Sequence, residues 1–258
     1  MDMAKRYELS DWEWERIENL FPSSKTGRPP KWDNKTMLNA ILWLARSGSA
    51  WEDIPNRYPP HQSVYSRFCK WRDDGTLEAV FHALNADADL ENLSIDSTSV
   101  KAHPQSAGAK KGALNSEFNQ FIGTSRGGKN TKIHAIVDGL GNPISFLLSG
   151  GQTHDSKMAI PLLETANIRN SHILADRAYG SEEIRSYIVQ HNADYVIPPK
   201  QNTKDPWFVD WHLYKERHLV ECFFNKLKQF RRVATRYDKL ASSFLAFVYV
   251  AAIAILLK

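Results

Sequence analysis

The sequence predicts an α/β protein in which a small all-α domain precedes a mixed sheet with helices. Before an acidic stretch at 87–91, apolar residues recur at helical spacing. Beyond that stretch, short apolar runs of β type alternate with helical segments. The chain has 258 residues, of which 42% are hydrophobic, enough for one large core or two smaller ones. We therefore predict a helical domain at 1–88 and a sheet domain at 89–258.

Helices are predicted in the N-terminal domain at 10–21, 34–47 and 63–72, and a short helix within 76–91 precedes the acidic stretch. Ser10 and Glu13 have the spacing of a capping box, which marks the start of the first helix. The second helix follows an Asp-Asn pair and stops at a glycine, and the third follows two prolines. Helices joined by a tight turn in this way have the outline of a helix-turn-helix.

The third helix has a candidate DNA-facing side. Its apolar stripe consists of Val64, Phe68 and Trp71, which leaves Ser66, Arg67 and Lys70 pointing outward. The alternative is a plain three-helix cap with a charged, solvated surface. Arg28 lies in a basic linker rich in proline and glycine, and an extended arginine of this kind is a candidate for a minor-groove contact.

Five strands are predicted in the sheet domain, at 93–97, 132–138, 143–148, 172–176 and 194–197. Helices are predicted near 156–166, at 181–191, from 211 onward and over the apolar segment 244–257. The order β-β-β-α-β-α-β-α-α matches an RNase H-like mixed sheet. The last segment has 14 residues, too few to cross a membrane, and we expect it to pack on the sheet.

The helix predicted from residue 211, which we call the signature helix, carries an unusual set of polar residues. Tyr214, Arg217, Glu221 and Lys228 are spaced by three, four and seven residues and therefore share one face. A carboxylate can bind a divalent metal, and cations on either side of it can bind phosphates. This layout is expected for chemistry on a nucleic-acid backbone.

Two aspartates further upstream could complete a metal site. Asp96 and Asp176 each follow an apolar β-like run. If those strands are neighbours in the sheet, the two carboxylates converge, and Glu221 can approach from a helix laid over the sheet edge. Taken singly, each acid also has an ordinary interpretation: Asp96 as a turn former, Asp176 as a cap and Glu221 as an ion-pair partner of Arg217.

Together these residues resemble the DDE transposases of bacterial insertion sequences, within them most closely the compact group with a short N-terminal helical domain. The resemblance extends from about residue 7 to residue 258, with no slippage in the signature spacing. It implies that Asp96, Asp176 and Glu221 hold two Mg²⁺ ions, for which Mn²⁺ can substitute. The 45 residues between the last two acids leave no room for the large inserted domain that some relatives carry there.

The resemblance also implies that Arg217 and Lys228 contact DNA near the cleaved end, where Tyr214 could stack or hydrogen-bond. Further candidates for DNA contact are the basic residues Lys200, Arg231 and Arg232. Charge favours this partner as well, because residues 92–258 carry 21 Lys and Arg against 14 Asp and Glu.

Several neighbouring residues have two interpretations. The pair at His154 and Asp155 could act at the site, although Asp155 is more simply the N-cap of the next helix. Trp207 and Trp211 could stack on a flipped base, but we expect them in the core.

We expect a transposase that binds inverted terminal repeats in double-stranded DNA, cleaves the element ends and transfers the 3′ ends to target DNA. The joining step comes from the resemblance alone. A dimer or higher oligomer is expected on DNA because each end needs an active site. Two cysteines without zinc spacing, and no apolar leader, favour the bacterial cytoplasm and association with the nucleoid rather than a membrane. The alternatives are an RNase H-like nuclease without strand transfer and a non-catalytic DNA-binding relic.

Overall fold

The computed structural model describes residues 6–22, 30–108 and 120–258. The chain forms two compact units. The helical unit comprises Met1–Ala86, His103–Ala109 and Leu227–Lys258, and the sheet unit comprises Asp87–Ala102 and Lys110–Lys226. The chain first passes from the helical unit to the sheet unit after Ala86, which is close to the boundary predicted at residue 88.

The helical unit contains α-helices at Asp11–Glu15, Asn34–Ser47, His61–Asp73, Thr76–Leu84, Arg231–Ala234 and Ala241–Leu256. The predicted capping box is present, because the Ser10 hydroxyl accepts from the Glu13 N–H and the Glu13 carboxylate accepts from the Ser10 N–H. The first helix is nevertheless short, and a 3₁₀ turn at Glu18–Leu20 follows it. Gly48 ends the second helix at φ 72°, a conformation that disfavours side chains.

The third helix has the predicted buried stripe. Val64, Phe68 and Trp71 are at most 1% exposed. On its other side Ser66 and Lys70 are exposed, whereas Arg67 is half-buried. The Arg67 guanidinium donates to the Asn34 side chain at 2.5 Å and lies over the Trp71 ring, so it is part of the fold of this unit.

The C-terminal helix Ala241–Leu256 packs against the N-terminal helices, and the prediction that it packs on the sheet is wrong. It contacts the helices Asn34–Ser47, His61–Asp73 and Thr76–Leu84. Phe247 stacks on Phe68 with ring centroids 4.6 Å apart. A helix that is apolar on nearly every face needs to be buried on all sides, and the N-terminal helices offer it a complete apolar groove. Within the described ranges, no helix is both long and apolar enough to span a bilayer.

The sheet unit is built on strands β1 (Asn92–Ala102), β2 (Gly123–Ser125), β3 (Gly128–Val137), β4 (Pro143–Gly150), β5 (His172–Leu174) and β6 (Asp194–Val196). Strand β3 pairs antiparallel with β1, β2 and β4, whereas β1, β5 and β6 are mutually parallel in that order. This is the mixed sheet that the sequence predicts, with β2 as an additional short strand. Strand β1 runs past the predicted end at residue 97 because β3 supplies a partner up to Lys101.

The helices of this unit lie at Ala159–Leu163, Glu182–Gln190, Trp211–Tyr214 and His218–Leu227. A core of buried residues fixes the central strands against them, including Leu93, Ile95, Leu162, Ile173 and Ile184. Burial of these side chains fixes the parallel pair of β1 and β5.

Candidate active site

Asp96 and Asp176 occupy equivalent positions on two neighbouring parallel strands. The pairing of β1 with β5 ends where Ser94 lies opposite Leu174, and each aspartate follows two residues later. Parallel strands are about 4.8 Å apart, so the register places the two residues side by side. The prediction that each aspartate follows its strand is correct for Asp176 but wrong for Asp96, which lies within β1 because β3 continues to pair with it.

Asp176 begins the 3₁₀ turn Arg177–Tyr179 as its N-cap. Its Oδ1 accepts a hydrogen bond of 2.7 Å from the Ala178 N–H. The capping interpretation and a place in the site are therefore compatible, because the cap fixes the carboxylate at the strand end.

Asp96 is held by two donors. Its Oδ1 accepts from the Ser97 N–H at 2.7 Å, and its Oδ2 lies 3.4 Å from Nη2 of Arg217. Burial raises the pKa of Asp96 above its ordinary value, while the Ser97 N–H and the charge of Arg217 oppose this shift. The charges of Asp176 and Glu221 raise the pKa of Asp96 further, so the three acids share one electrostatic environment.

Glu221 joins this environment through Arg217. The two residues are four apart on the signature helix, and Nη1 of Arg217 donates to Oε1 of Glu221 at 2.5 Å. The helix is interrupted by a 3₁₀ turn at Lys215–Arg217 and ends at Leu227.

Besides the contact of Arg217 with Asp96, two further contacts join the signature helix to the strands of the sheet. Asn92 donates to Glu216 at 2.9 Å, and Phe223 stacks on Phe146 with ring centroids 5.8 Å apart. The first contact joins the helix to β1, the strand that carries Asp96, and the second joins it to β4.

Three carboxylates form a donor set that suits a hard divalent cation. Among the described residues, however, no three His, Cys, Asp or Glu side chains are close enough to hold a metal. In this arrangement the Arg217 guanidinium bridges Asp96 and Glu221.

A second polar group lies beside the acids. The Ser97 hydroxyl donates to Asp155 Oδ1 at 2.7 Å, and Lys132 Nζ donates to the same oxygen at 2.9 Å. Asp155 was predicted to be an N-cap, but His154 caps the turn instead and Asp155 faces Ser97. Burial raises the pKa of Asp155, but the bonds from Ser97 and Lys132 outweigh it and lower the pKa overall.

Tyr179 is a further neighbour that the sequence analysis missed. Its side chain is 1% exposed, and burial raises the pKa of its hydroxyl group, with Asp96, Asp155 and Asp176 adding to the shift. A hint was available in the sequence, because Tyr179 follows Asp176 by three residues, but the spacing says nothing about burial.

Other predicted site residues fall in different surroundings. Lys200 and Arg231 are exposed, and so is Lys228, which follows the end of the signature helix. Arg232 is 5% exposed and bonds to Asp238 and to the Ser49 carbonyl, so its charge serves the fold of the helical unit. Arg28 lies outside the described residues.

The two tryptophans before the signature helix differ. Trp207 donates to the Ile197 carbonyl at 2.7 Å and packs on the apolar cluster around Leu174, as expected for a core residue. Trp211 is 60% exposed, so the core prediction is wrong for it. Its ring meets the half-buried Tyr214 edge-on, with centroids 5.5 Å apart.

An aspartate two residues beyond the paired segment on each of two neighbouring parallel strands, a glutamate on a following helix and a sheet of this order are the arrangement expected of a DDE-type enzyme, a metal-dependent DNA endonuclease and transferase. Comparison with known families agrees. A model described as a putative transposase of the IS4/5 family matches residues 9–81. Two models described as the transposase DDE domain match residues 88–206 and 173–258.

The chain belongs to the DDE-type insertion-sequence transposases. Over 132 residues it is 37% identical to a putative transposase for insertion sequence element IS6501 of Brucella ovis. The aligned residues make up 50% of this chain and 98% of that protein. It is also 42% identical over 104 residues to the uncharacterized protein y4sN of Sinorhizobium fredii, covering 40% of this chain and 83% of that one.

A solved structure supports the RNase H-like fold. A piggyBac transposase synaptic complex with hairpin DNA superposes with a TM-score of 0.53 and 11% identity, covering 95% of this chain and 70% of that one. At this identity the likeness concerns the fold alone.

Proposed function

We propose that this transposase binds the inverted terminal repeats of its element, cleaves the ends by metal-dependent hydrolysis and transfers the 3′ ends to target DNA. The observation that carries the proposal is the placement of Asp96 and Asp176 at equivalent positions, two residues beyond the paired segment of β1 and β5, with Glu221 linked to Asp96 through Arg217. Three acids from three separate segments share one environment, which a turn former, a cap or a surface ion pair does not require.

Asp96, Asp176 and Glu221 would hold two Mg²⁺ ions, for which Mn²⁺ substitutes. Such ions activate a water or a 3′ hydroxyl for in-line attack and stabilise the leaving oxygen. The chain's own contribution is to hold the carboxylates at one edge of the sheet. Arg217 provides a guanidinium that can exchange its two carboxylates for a phosphate, which it binds in a bidentate manner.

The proposed DNA contacts divide between the two units. In the helical unit, Ser66 and Lys70 present exposed groups on the third helix, and Lys228 and Arg231 add exposed cations. In the sheet unit, Lys200 is exposed, and Tyr214 lies on the signature helix one turn before Arg217. Residues 1–88 would thus bind the ends and residues 89–258 carry the catalytic acids, with Arg28 as a minor-groove arm.

Acting on both ends of an element requires two active sites, so we propose a homodimer or higher oligomer on DNA. Its place of action would be the bacterial nucleoid in the cytoplasm, because that is where both the element ends and the target DNA lie.

The test uses the full-length protein with DNA carrying the ends that flank its gene. Nicking and joining are followed with Mg²⁺ for the wild type, Asp176→Asn and the matched control Asp194→Asn, an exposed carboxylate on β6. We expect wild type and Asp194→Asn to cut and join, whereas Asp176→Asn binds the ends and does neither.

Other results would replace the proposal. Cutting without joining would identify a nuclease that lacks strand transfer. Specific end binding without Mg²⁺-dependent cutting in the wild type would identify a DNA-binding relic. Cutting by Asp176→Asn at the wild-type rate would remove the triad from the mechanism.

A further inference from the structure

The hairpin of β2 and β3 ends in an exposed group of cations. The turn between the two strands consists of Arg126 and Gly127. Arg126 is exposed, and so is Lys129 on β3. Lys101 is exposed on β1, opposite the residue that follows Lys129. We call Arg126, Lys129 and Lys101 the basic hairpin end.

The charge of this end is not balanced by neighbouring acids. From 97 to 137 the sequence contains six Lys and Arg and a single acidic residue. Among the described cations of this segment, Lys132 binds Asp155, whereas the basic hairpin end forms no ion pair with any described residue. Exposed cations without counter-charges attract a polyanion.

The tip of the hairpin leaves room for another backbone to approach. Gly128 has φ 93°, a conformation that disfavours side chains, and a Cβ built there would meet no described atom within 4 Å beyond the adjoining residues. A Cβ at Gly127 would meet the Ser125 hydroxyl at 3.8 Å. This hydroxyl accepts from the Gly127 N–H at 3.2 Å and from Asn130 Nδ2 at 2.8 Å. The turn is therefore braced from within, while its outer side is open.

The basic hairpin end lies further along the strand that carries Asp96. Lys101 follows Asp96 by five residues on β1. A strand rises about 3.3 Å per residue, so these two positions are roughly 17 Å apart. Duplex DNA rises about 3.4 Å per base pair. A duplex that follows β1 from Asp96 therefore meets this end after about five base pairs.

We propose that the basic hairpin end binds the phosphate backbone of duplex DNA, about five base pairs from the phosphate that is cut. The inference rests on the proposed function. Arg126 provides a guanidinium that binds phosphate in a bidentate manner, and Lys129 and Lys101 provide point charges. Such contacts position DNA and carry no sequence information. The hairpin thus fixes the path of the duplex past Asp96, whichever bases lie there.

The experiment measures DNA binding by the full-length protein in EDTA at several salt concentrations. Fluorescence anisotropy gives the Kd for a duplex that carries one element end. Arg126→Gln/Lys129→Gln is compared with the wild type, with the charge-preserving Arg126→Lys/Lys129→Arg and with Arg169→Gln. Arg169 is a matched control, because it is an exposed arginine of the same unit that precedes the amino end of β5.

Loss of two phosphate contacts should weaken binding about tenfold or more at about 0.1 M salt, and lower the slope of log Kd against log salt by roughly 2. The charge-preserving variant and Arg169→Gln should bind like the wild type. Single neutral methylphosphonates along the duplex locate the contact. The one about five base pairs from the cut should weaken binding by the wild type and have no effect on Arg126→Gln/Lys129→Gln.

Three results would overturn the inference alone, in a wild type that binds and cuts the ends. They are a wild-type Kd and salt slope in Arg126→Gln/Lys129→Gln, an equal loss in Arg169→Gln, and a methylphosphonate scan that is the same in wild type and double variant. A wild type that binds no DNA would instead contradict the proposed function, and the inference with it.

Discussion

The Arg217 guanidinium lies against the Asp96 carboxylate, with Nη2 3.4 Å from Oδ2, and its other terminal nitrogen binds Glu221. This cation occupies the position between the two acids, so it competes there with a divalent metal for the carboxylates. A DNA phosphate offers the guanidinium an equally good partner. Under the proposed function, binding of an element end would draw Arg217 to a phosphate and free the two carboxylates for metal.

Replacing Arg217 separates its competition with metal from its proposed contact with a DNA phosphate. We expect Arg217→Gln to raise the Mn²⁺ affinity of the DNA-free protein about fivefold, because a competing ion pair of roughly 1 kcal/mol is lost. The same variant should cleave ends more slowly. Mn²⁺ titration and a nicking assay measure the two effects. Arg185→Gln is the matched control, since Arg185 lies 3.7 Å over Trp207 in the same unit. A weaker Mn²⁺ affinity in Arg217→Gln would instead mean that Arg217 organises the acids.

The ion pair of Lys132 and Asp155 should contribute to stability. Lys132 is 15% exposed and donates to Asp155 at 2.9 Å. We expect Lys132→Met to lower the free energy of unfolding by roughly 1–3 kcal/mol, because a half-buried carboxylate loses its cation. Adding Asp155→Asn should recover part of this loss. Urea denaturation gives the free energies of unfolding of both single variants and the double variant, which form a double-mutant cycle. If the two single losses simply add in the double variant, Lys132 and Asp155 do not interact directly.

The buried His134 should make stability depend on pH. Burial lowers the pKa of His134 from 6.5 to about 4, with Lys132 adding to this shift and Asp155 opposing it. Between these values the unfolded chain takes up a proton that the folded protein does not, so the free energy of unfolding falls as the pH decreases. This loss of free energy of unfolding is complete below about pH 4 and absent well above pH 6.5.

Replacing His134 by glutamine removes this pH dependence of stability. From pH 7 to pH 5, the wild type should lose roughly 2 kcal/mol more than His134→Gln in urea denaturation. His212→Gln, at an exposed position, provides the control and should follow the wild type. Parallel curves for wild type and His134→Gln would show that His134 does not titrate in this way.

Trp207 and Trp211 should differ sharply when replaced by alanine. Trp207→Ala removes a half-buried ring and the hydrogen bond to the Ile197 carbonyl, and we expect a loss of about 3 kcal/mol. Trp211→Ala removes an exposed ring and should change stability by less than about 0.5 kcal/mol. Chemical denaturation measures both, and a large loss in Trp211→Ala would mean that its ring is packed in solution.

The sequence predicted the acids better than their surroundings. Asp96, Asp176 and Glu221 could be proposed because short-range patterns single them out, namely apolar runs ending in an aspartate and a four-residue helical interval, and their role stays a prediction. Asp155 could not be assigned correctly, because its partner Ser97 lies 58 residues away and only the sheet brings the two together.

Burial could be predicted where apolar residues recur at a regular spacing. It could not be predicted where contacts between distant segments determine it. The stripe of Val64, Phe68 and Trp71 follows from helical spacing. In contrast, the apolar composition of the C-terminal helix predicts that it is buried but does not say against which elements. The same limit applies to Trp211, whose residue type suggests a core position although its place before the signature helix exposes it.

The packing of Ala241–Leu256 among the N-terminal helices determines the order in which the newly made protein can fold. The first helices leave the ribosome long before the segment that covers their apolar faces, and the whole sheet unit is made in between. The sheet unit can therefore fold before this helix is made, whereas the helical unit needs the helix to cover the apolar faces of its earlier helices. A product released before residue 241 would carry those faces uncovered.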